Sequence, residues 1–141
     1  MAPVVFAALA SVSMGLWVVF NKVAAGYIDQ LLGAILLSVT AVAIGGTVFL
    51  LRGPPAARLV TSPKGIIFVA LAGAAAFSMD FLGLTAYSRG LQITVGGPII
   101  IGGSIAVATL LGFSLGEPAT ITKVIAIVLI VVGAALLARV A

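Results

Sequence analysis

The sequence predicts an all-α integral membrane protein, a bundle of five transmembrane helices. Three observations predict it. The 141 residues are 63% hydrophobic and 7% charged, with a mean hydropathy of +1.41, outside the range of soluble domains. The apolar runs approach twenty residues, the length of helix that a hydrocarbon core about 30 Å thick requires. The charges, prolines and several glycines fall between those runs, where connections belong.

The first helix takes residues 3–21 and closes at "NKVAAG". It lacks the basic leader of a cleaved signal peptide and is followed directly by further spans, so it reads as a permanent helix. The second takes residues 31–51, "LLGAILLSVTAVAIGGTVFLL". "RGPPAARLVTSPK" follows, holding three of the six prolines and three of the seven basic residues, and is the one substantial loop. The third helix takes residues 65–88, the fourth 95–116 and the fifth 120–139. Between them "SRGLQIT" and "EPATITK" are too short for anything but antiparallel neighbours. Nothing between the spans is long and polar enough for a soluble domain, so residues 1–141 form a single transmembrane domain whose backbone bonds within its helices.

Composition excludes whole classes of chemistry. Without cysteine or histidine there are no disulfides, no thiolate or imidazole catalysis and no ordinary zinc site. The acidic residues are Asp29, Asp80 and Glu117 alone, too few to build a hydrolase or oxidoreductase, so no enzyme, metal or cofactor is expected. The seven basic residues stand singly between apolar runs, which suits loops at a lipid surface and not a nucleic-acid interface. Arg52, Arg58, Lys64 and Lys123 fall on the N-terminal side, against Lys22, Arg89 and Arg139 on the other. The denser cluster favours a cytoplasmic N-terminus, while the near balance allows dual topology.

Two stretches resemble a known family. "SMGLWVVFNKVA" is similar to the opening of the EamA-type domain of the drug/metabolite transporter superfamily. "AYSRGLQITVGGPIIIGGSIAVATLLGFSLGEPATITKVIAIVLIVVGAALLAR" is similar to its second half, most specifically through "SLGEPAT" and "IVLIVVGAALLA". The chain departs from the common pattern at Ala126, where glycine is usual, and in carrying Asp80. The resemblance implies one five-helix repeat, half of a ten-helix transporter made of two repeats of inverted topology. It also supports a first helix that lines the central cavity. The expected location is the cell's inner membrane.

Asp80 stands alone in an apolar run, with Arg89 the next basic residue after it. Helical spacing puts it on a face with Gly73, Ala76, Gly83 and Tyr87, about 22 Å along the third helix from Gly65. An ionised carboxylate there costs roughly 2.5–3.5 kcal/mol on insertion scales, so such groups face a bundle interior or a watery cavity. Asp80 with Tyr87 then forms a candidate proton or cation site. The alternative is a carboxylate merely hydrogen-bonded between helices or lifted to the interface by tilt. Ser13, Trp17 and Asn21 make a second stripe, with Trp17 as a cation–π wall and Asn21 orienting a substrate, or with Trp17 as bundle packing and Asn21 closing the helix. Glu117 is expected to accept from the start of the fifth helix and to pair with Lys123. Lys22, Arg89 and Arg139 are placed to snorkel.

Gly112 and Gly116 read as a GxxxG packing motif, Gly102 and Ala106 as a small pair, and Ala126 and Gly133 as a second small face, each serving helix packing or a dimer. Pro98 bends or starts the fourth helix. The leading expectation is a secondary active transporter of a small organic metabolite or cation, coupled to a gradient through Asp80, with its path among the first, third and fourth helices. No GxxxxGK[ST] loop is present to use ATP. It would work as a homodimer, antiparallel if it is to imitate inverted repeats. The rival is a non-transporting membrane subunit, or one half of a heterodimeric transporter or lipid-carrier flippase. A channel would need a filter-like repeat that the sequence lacks.

Overall fold

The computed structural model describes residues 3–52 and 62–139. They form five helices: α1 (Pro3–Ala24), α2 (Gln30–Arg52), α3 (Pro63–Ser88), α4 (Ile93–Ser114) and α5 (Ile121–Ala138). All five are long and apolar enough to cross a membrane. Most of the loop assigned to "RGPPAARLVTSPK", including Arg58 of the orientation count, lies outside the described residues.

Local chemistry sets the helix ends. Asp29 caps α2, its Oδ1 accepting from the amides of Leu31 at 3.0 Å and Leu32 at 3.1 Å. Ser62 caps α3 by accepting from Gly65 N at 3.0 Å, with Pro63 following it in the first turn, where a missing amide hydrogen costs nothing. Two helices stop the same way. Gly90 (φ 100) and Gly116 (φ 96) sit in the left-handed region. Leu91 N reaches back to Ala86 O, and Glu117 N to Gly112 O, closing the last carbonyls of α3 and α4.

Gly116 therefore lies beyond α4, and the expected GxxxG face is corrected: the two glycines do not share a helix. The place beside Gly112 is taken by the Glu117 carboxylate, whose Oε2 is 3.2 Å from where a Cβ would stand. Glu117 is not the cap of α5 either. Thr120 accepts from Lys123 N at 3.4 Å, and Lys123 Nζ donates to Pro118 O at 3.1 Å.

Close helix approach occurs at other glycines. A Cβ on Gly33 would stand 2.7 Å from Leu84 Cδ1 (α2 on α3), and one on Gly83 3.6 Å from Trp17 Cη2 (α3 on α1). On Gly96 it would stand 2.6 Å from Tyr87 Cε1 (α4 on α3), and on Gly97 3.3 Å from Val18 Cγ1 (α4 on α1). On Gly102 it would stand 3.3 Å from both Ala134 Cβ and Ile130 Cγ2, joining α4 to α5. Small residues at contacts suit a medium in which apolar burial drives nothing and packing must do the work.

The main pairs are α4 with α5 and α2 with α3, with α1 laid against α3 and α4. Burial is lopsided along the bundle axis. Val18, Asn21, Ala25, Ala34, Leu84, Tyr87 and Val95 are buried. They lie where α1 and α3 end and α2 and α4 begin, around one pair of connections. Among the described residues none from Pro3 to Trp17, Ile35 to Arg52 or Pro63 to Leu82 is buried, and α5 buries none at all. The bundle is knitted at one end, and its other end presents apolar side chains outward, the surface that lipid contacts.

Candidate functional site

The α1 stripe faces α3. Trp17 and Asn21 are one turn apart on α1, and Gly83 leaves room for the indole to approach α3. There the Trp17 indole Nε1 donates to Asp80 Oδ1 at 2.8 Å. The carboxylate that has no basic neighbour in sequence thus finds a neutral donor from another helix. A hydrogen bond to a charged acceptor is among the stronger ones, and it ties α1 to α3 at membrane depth.

Asn21, 2% exposed, sits beneath this pair. Its Nδ2 donates to Trp17 O at 3.0 Å, but its Oδ1 is buried and accepts from no group among the described residues. A buried acceptor left unmatched costs about 1–3 kcal/mol, so this oxygen is an open demand for a donor. Asn21 lies within α1 and does not close it.

Trp17, Asn21 and Asp80 line a cleft of ≈ 630 Å³ between α1 and α2 with α3 as its floor. Leu16, Phe20, Leu36 and Leu37 make its walls greasy, and Ser13 and Thr40 add hydroxyls. Asp80 is the one titratable group among the described residues that line it. The expected path runs among the first, third and fourth helices; the cleft that holds Asp80 has α2 as its opposite wall and no lining residue from α4 among the described residues. The reason is the packing order: α1 lies on α3 and α4 and leaves α2 across a gap.

The structure brings Trp17, Asn21 and Asp80 together and leaves Tyr87 out. Tyr87 is 2% exposed, pressed against Gly96 at the knitted end, and its hydroxyl has no partner among the described residues. It shares a helix face with Asp80 but lies two turns beyond, past the cleft. Lys22 covers it, with Nζ 5.8 Å from the ring centroid and donating to Tyr87 O at 3.2 Å. That is a cation–π contact and a capped helix C-terminus in one residue; it replaces the snorkelling expected of Lys22.

A second cleft, ≈ 550 Å³, lies between α1, α4 and α5. It holds Gly133 and Pro98 and is lined by apolar residues throughout. Among the described residues no atom of another helix lies within 4 Å of a Cβ placed on Gly133. Pro98 sits inside α4, in its second turn, and offers no amide hydrogen to the carbonyl of Thr94.

Sequence reasoning missed the Trp17–Asp80 bond and the part played by Thr40 and α2. The stripe of Ser13, Trp17 and Asn21 was a signal for a polar face on α1, but nothing in the sequence says which helix that face meets. Compared with known proteins, the chain matches no family model, no curated protein and no solved structure.

Proposed function

We infer that the chain is a secondary active transporter of a small organic metabolite or cation, coupled to a proton or cation gradient through Asp80. The observation that carries this reading is the Asp80 carboxylate on a cleft between membrane-length helices, held by a neutral indole and not by a basic residue. A carboxylate neutralised by Lys or Arg has little reason to exchange its partner. One held by a single N–H can take up a proton or a cation and give it back, which is what gradient coupling requires. The greasy walls suit a solute with an apolar body.

In this reading Asp80 binds the coupling ion or the solute's charge, Trp17 orients Asp80 and supplies an aromatic wall, and Asn21 offers an acceptor. The resemblance to the EamA-type domain supports the same reading, with the chain as one five-helix repeat and a homodimer completing the transport unit. The unburied α5 leaves apolar surface for a second copy. An inner-membrane location with the N-terminus in the cytoplasm belongs to the proposal. So does the absence of catalysis.

The test is solute movement in liposomes containing this protein alone. Gradient-driven uptake of radiolabelled organic solutes should appear with the wild type and vanish with Asp80→Asn. Liposomes that stay impermeable to every metabolite and cation offered would reject the reading and leave a non-transporting subunit.

A further inference from the structure

Apart from the Thr40 hydroxyl, the unmatched hydrogen-bonding groups of the residues that line the α1–α2–α3 cleft are acceptors. Asp80 Oδ1 has the indole hydrogen, and Asp80 Oδ2 accepts from no group among the described residues. The Asn21 side-chain oxygen accepts from none either, although it is buried. The donors are already occupied: Trp17 N–H by Asp80, the Asn21 amide nitrogen by Trp17 O, and the Ser13 hydroxyl by Leu9 O at 3.2 Å. Thr40 alone can serve either way. No basic side chain lines the cleft among the described residues, and Lys22, the next residue along α1, is turned onto Tyr87.

We propose that this cleft binds an organic ammonium ion carrying at least two N–H bonds on an apolar body. One N–H goes to Asp80, another to the Asn21 carbonyl, and the body lies along Leu16, Phe20 and the α2 wall. The assignment rests on the transporter reading and names the solute class of the same site. Reaching the buried Asn21 oxygen takes a turn of its amide about χ2, a broad terminal torsion, which gives up the Nδ2 bond to Trp17 O in exchange for the bond from the ammonium. A quaternary ammonium brings the charge without the donors and leaves that oxygen unmatched. A site built to meet N–H groups rejects an analogue lacking them far more strongly than a purely greasy pocket rejects a change of size. A carboxylate or phosphate meets like charge at Asp80.

Trp17 is the sole tryptophan of the chain, so indole fluorescence reports on this cleft alone. The full chain in lipid nanodiscs is titrated with benzylammonium, benzyltrimethylammonium and benzoate. Benzylammonium should bind at least about tenfold more tightly than its quaternary analogue, and benzoate should give no saturable change. Asn21→Leu keeps the volume and removes the acceptor, and should shrink that preference to about threefold or less. Equal affinity for the two cations overturns the proposal, as does saturable benzoate binding or no response to benzylammonium. The wild-type comparison decides by itself if the variant does not fold. Absent solute uptake in liposomes with the preference intact counts against transport alone. Uptake without the preference counts against the ammonium assignment alone.

Discussion

Trp17 and Asp80, 63 positions apart in sequence, are joined by a 2.8 Å hydrogen bond from the indole nitrogen to the carboxylate. The bond makes a distinction testable that a lone buried acid would not. Asn at position 80 keeps a carbonyl oxygen for the indole, whereas Ala does not. We expect Asp80→Asn to fold like the wild type and lose coupled transport. Asp80→Ala should lose transport and also about 1 kcal/mol or more of stability, because the indole N–H is orphaned. Thermal unfolding in detergent beside liposome uptake checks both. A double-mutant cycle with Trp17→Phe should return a coupling of about 0.5–3 kcal/mol. Additive losses would show that the two side chains do not act together.

The glycines divide by what surrounds them. Gly102→Leu drives a side chain into Ala134 and Ile130, so α4 and α5 must part and folded yield should fall steeply. Gly112→Leu meets only the end of the Glu117 side chain, which can swing away, and should be tolerated. Gly116→Ala must hold φ 96 with a Cβ, at a cost of about 1–2 kcal/mol. Size-exclusion profiles and thermal melts of the three variants rank them. A Gly112→Leu as damaging as Gly102→Leu would mean that Gly112 meets a partner outside this chain.

Gly133 has open space around it within one chain. It lines the cleft between α1, α4 and α5, so Gly133→Leu should leave helix content unchanged and weaken the proposed homodimer only where a helix of the second copy enters that cleft. Far-UV circular dichroism with light scattering in detergent separates the two effects. A dimer that survives the substitution takes that cleft away from the interface.

The chain has no cysteine of its own, so single introduced thiols report topology cleanly. With the N-terminus in the cytoplasm, Gln92→Cys labels from outside intact cells and Ser62→Cys does not. Comparable labelling at both positions would show both orientations and permit an antiparallel pair. External labelling at position 62 alone would invert the proposed topology.

Much of the fold could be read from the sequence because length and greasiness decide what a membrane accepts. The third helix starts at Pro63, two residues earlier than expected, since Ser62 and Pro63 form a ready-made start signal inside what reads as a loop. The fourth ends at Ser114 because Gly116 turns the chain; spacing alone cannot tell a glycine that packs from one that bends. Within the site, Asp80, Trp17 and Asn21 stood out as polar groups in apolar helices. Their meeting did not, because the apolar faces of five greasy helices look alike and the order of packing is set by shape. For the same reason Tyr87, one face with Asp80 on a helical wheel, belongs to the packed end, and Thr40 went unnoticed in a helix with no charge near it.

The one-ended core makes α3 a lever. Its fulcrum is the turn around Gly83 and Leu84, wedged between Trp17 and Gly33. From Leu84 to Pro63 the arm runs about 32 Å at 1.5 Å per residue. Asp80 sits one turn from the fulcrum, where motion is least. A tilt of about 10° moves the side chains around the carboxylate by about 1 Å and swings the far end by about 5 Å. Any tilt of α3, with α2 packed along it, that accompanied a change in how Asp80 holds Trp17 would be magnified at the far end of the bundle while the charge itself stayed nearly still.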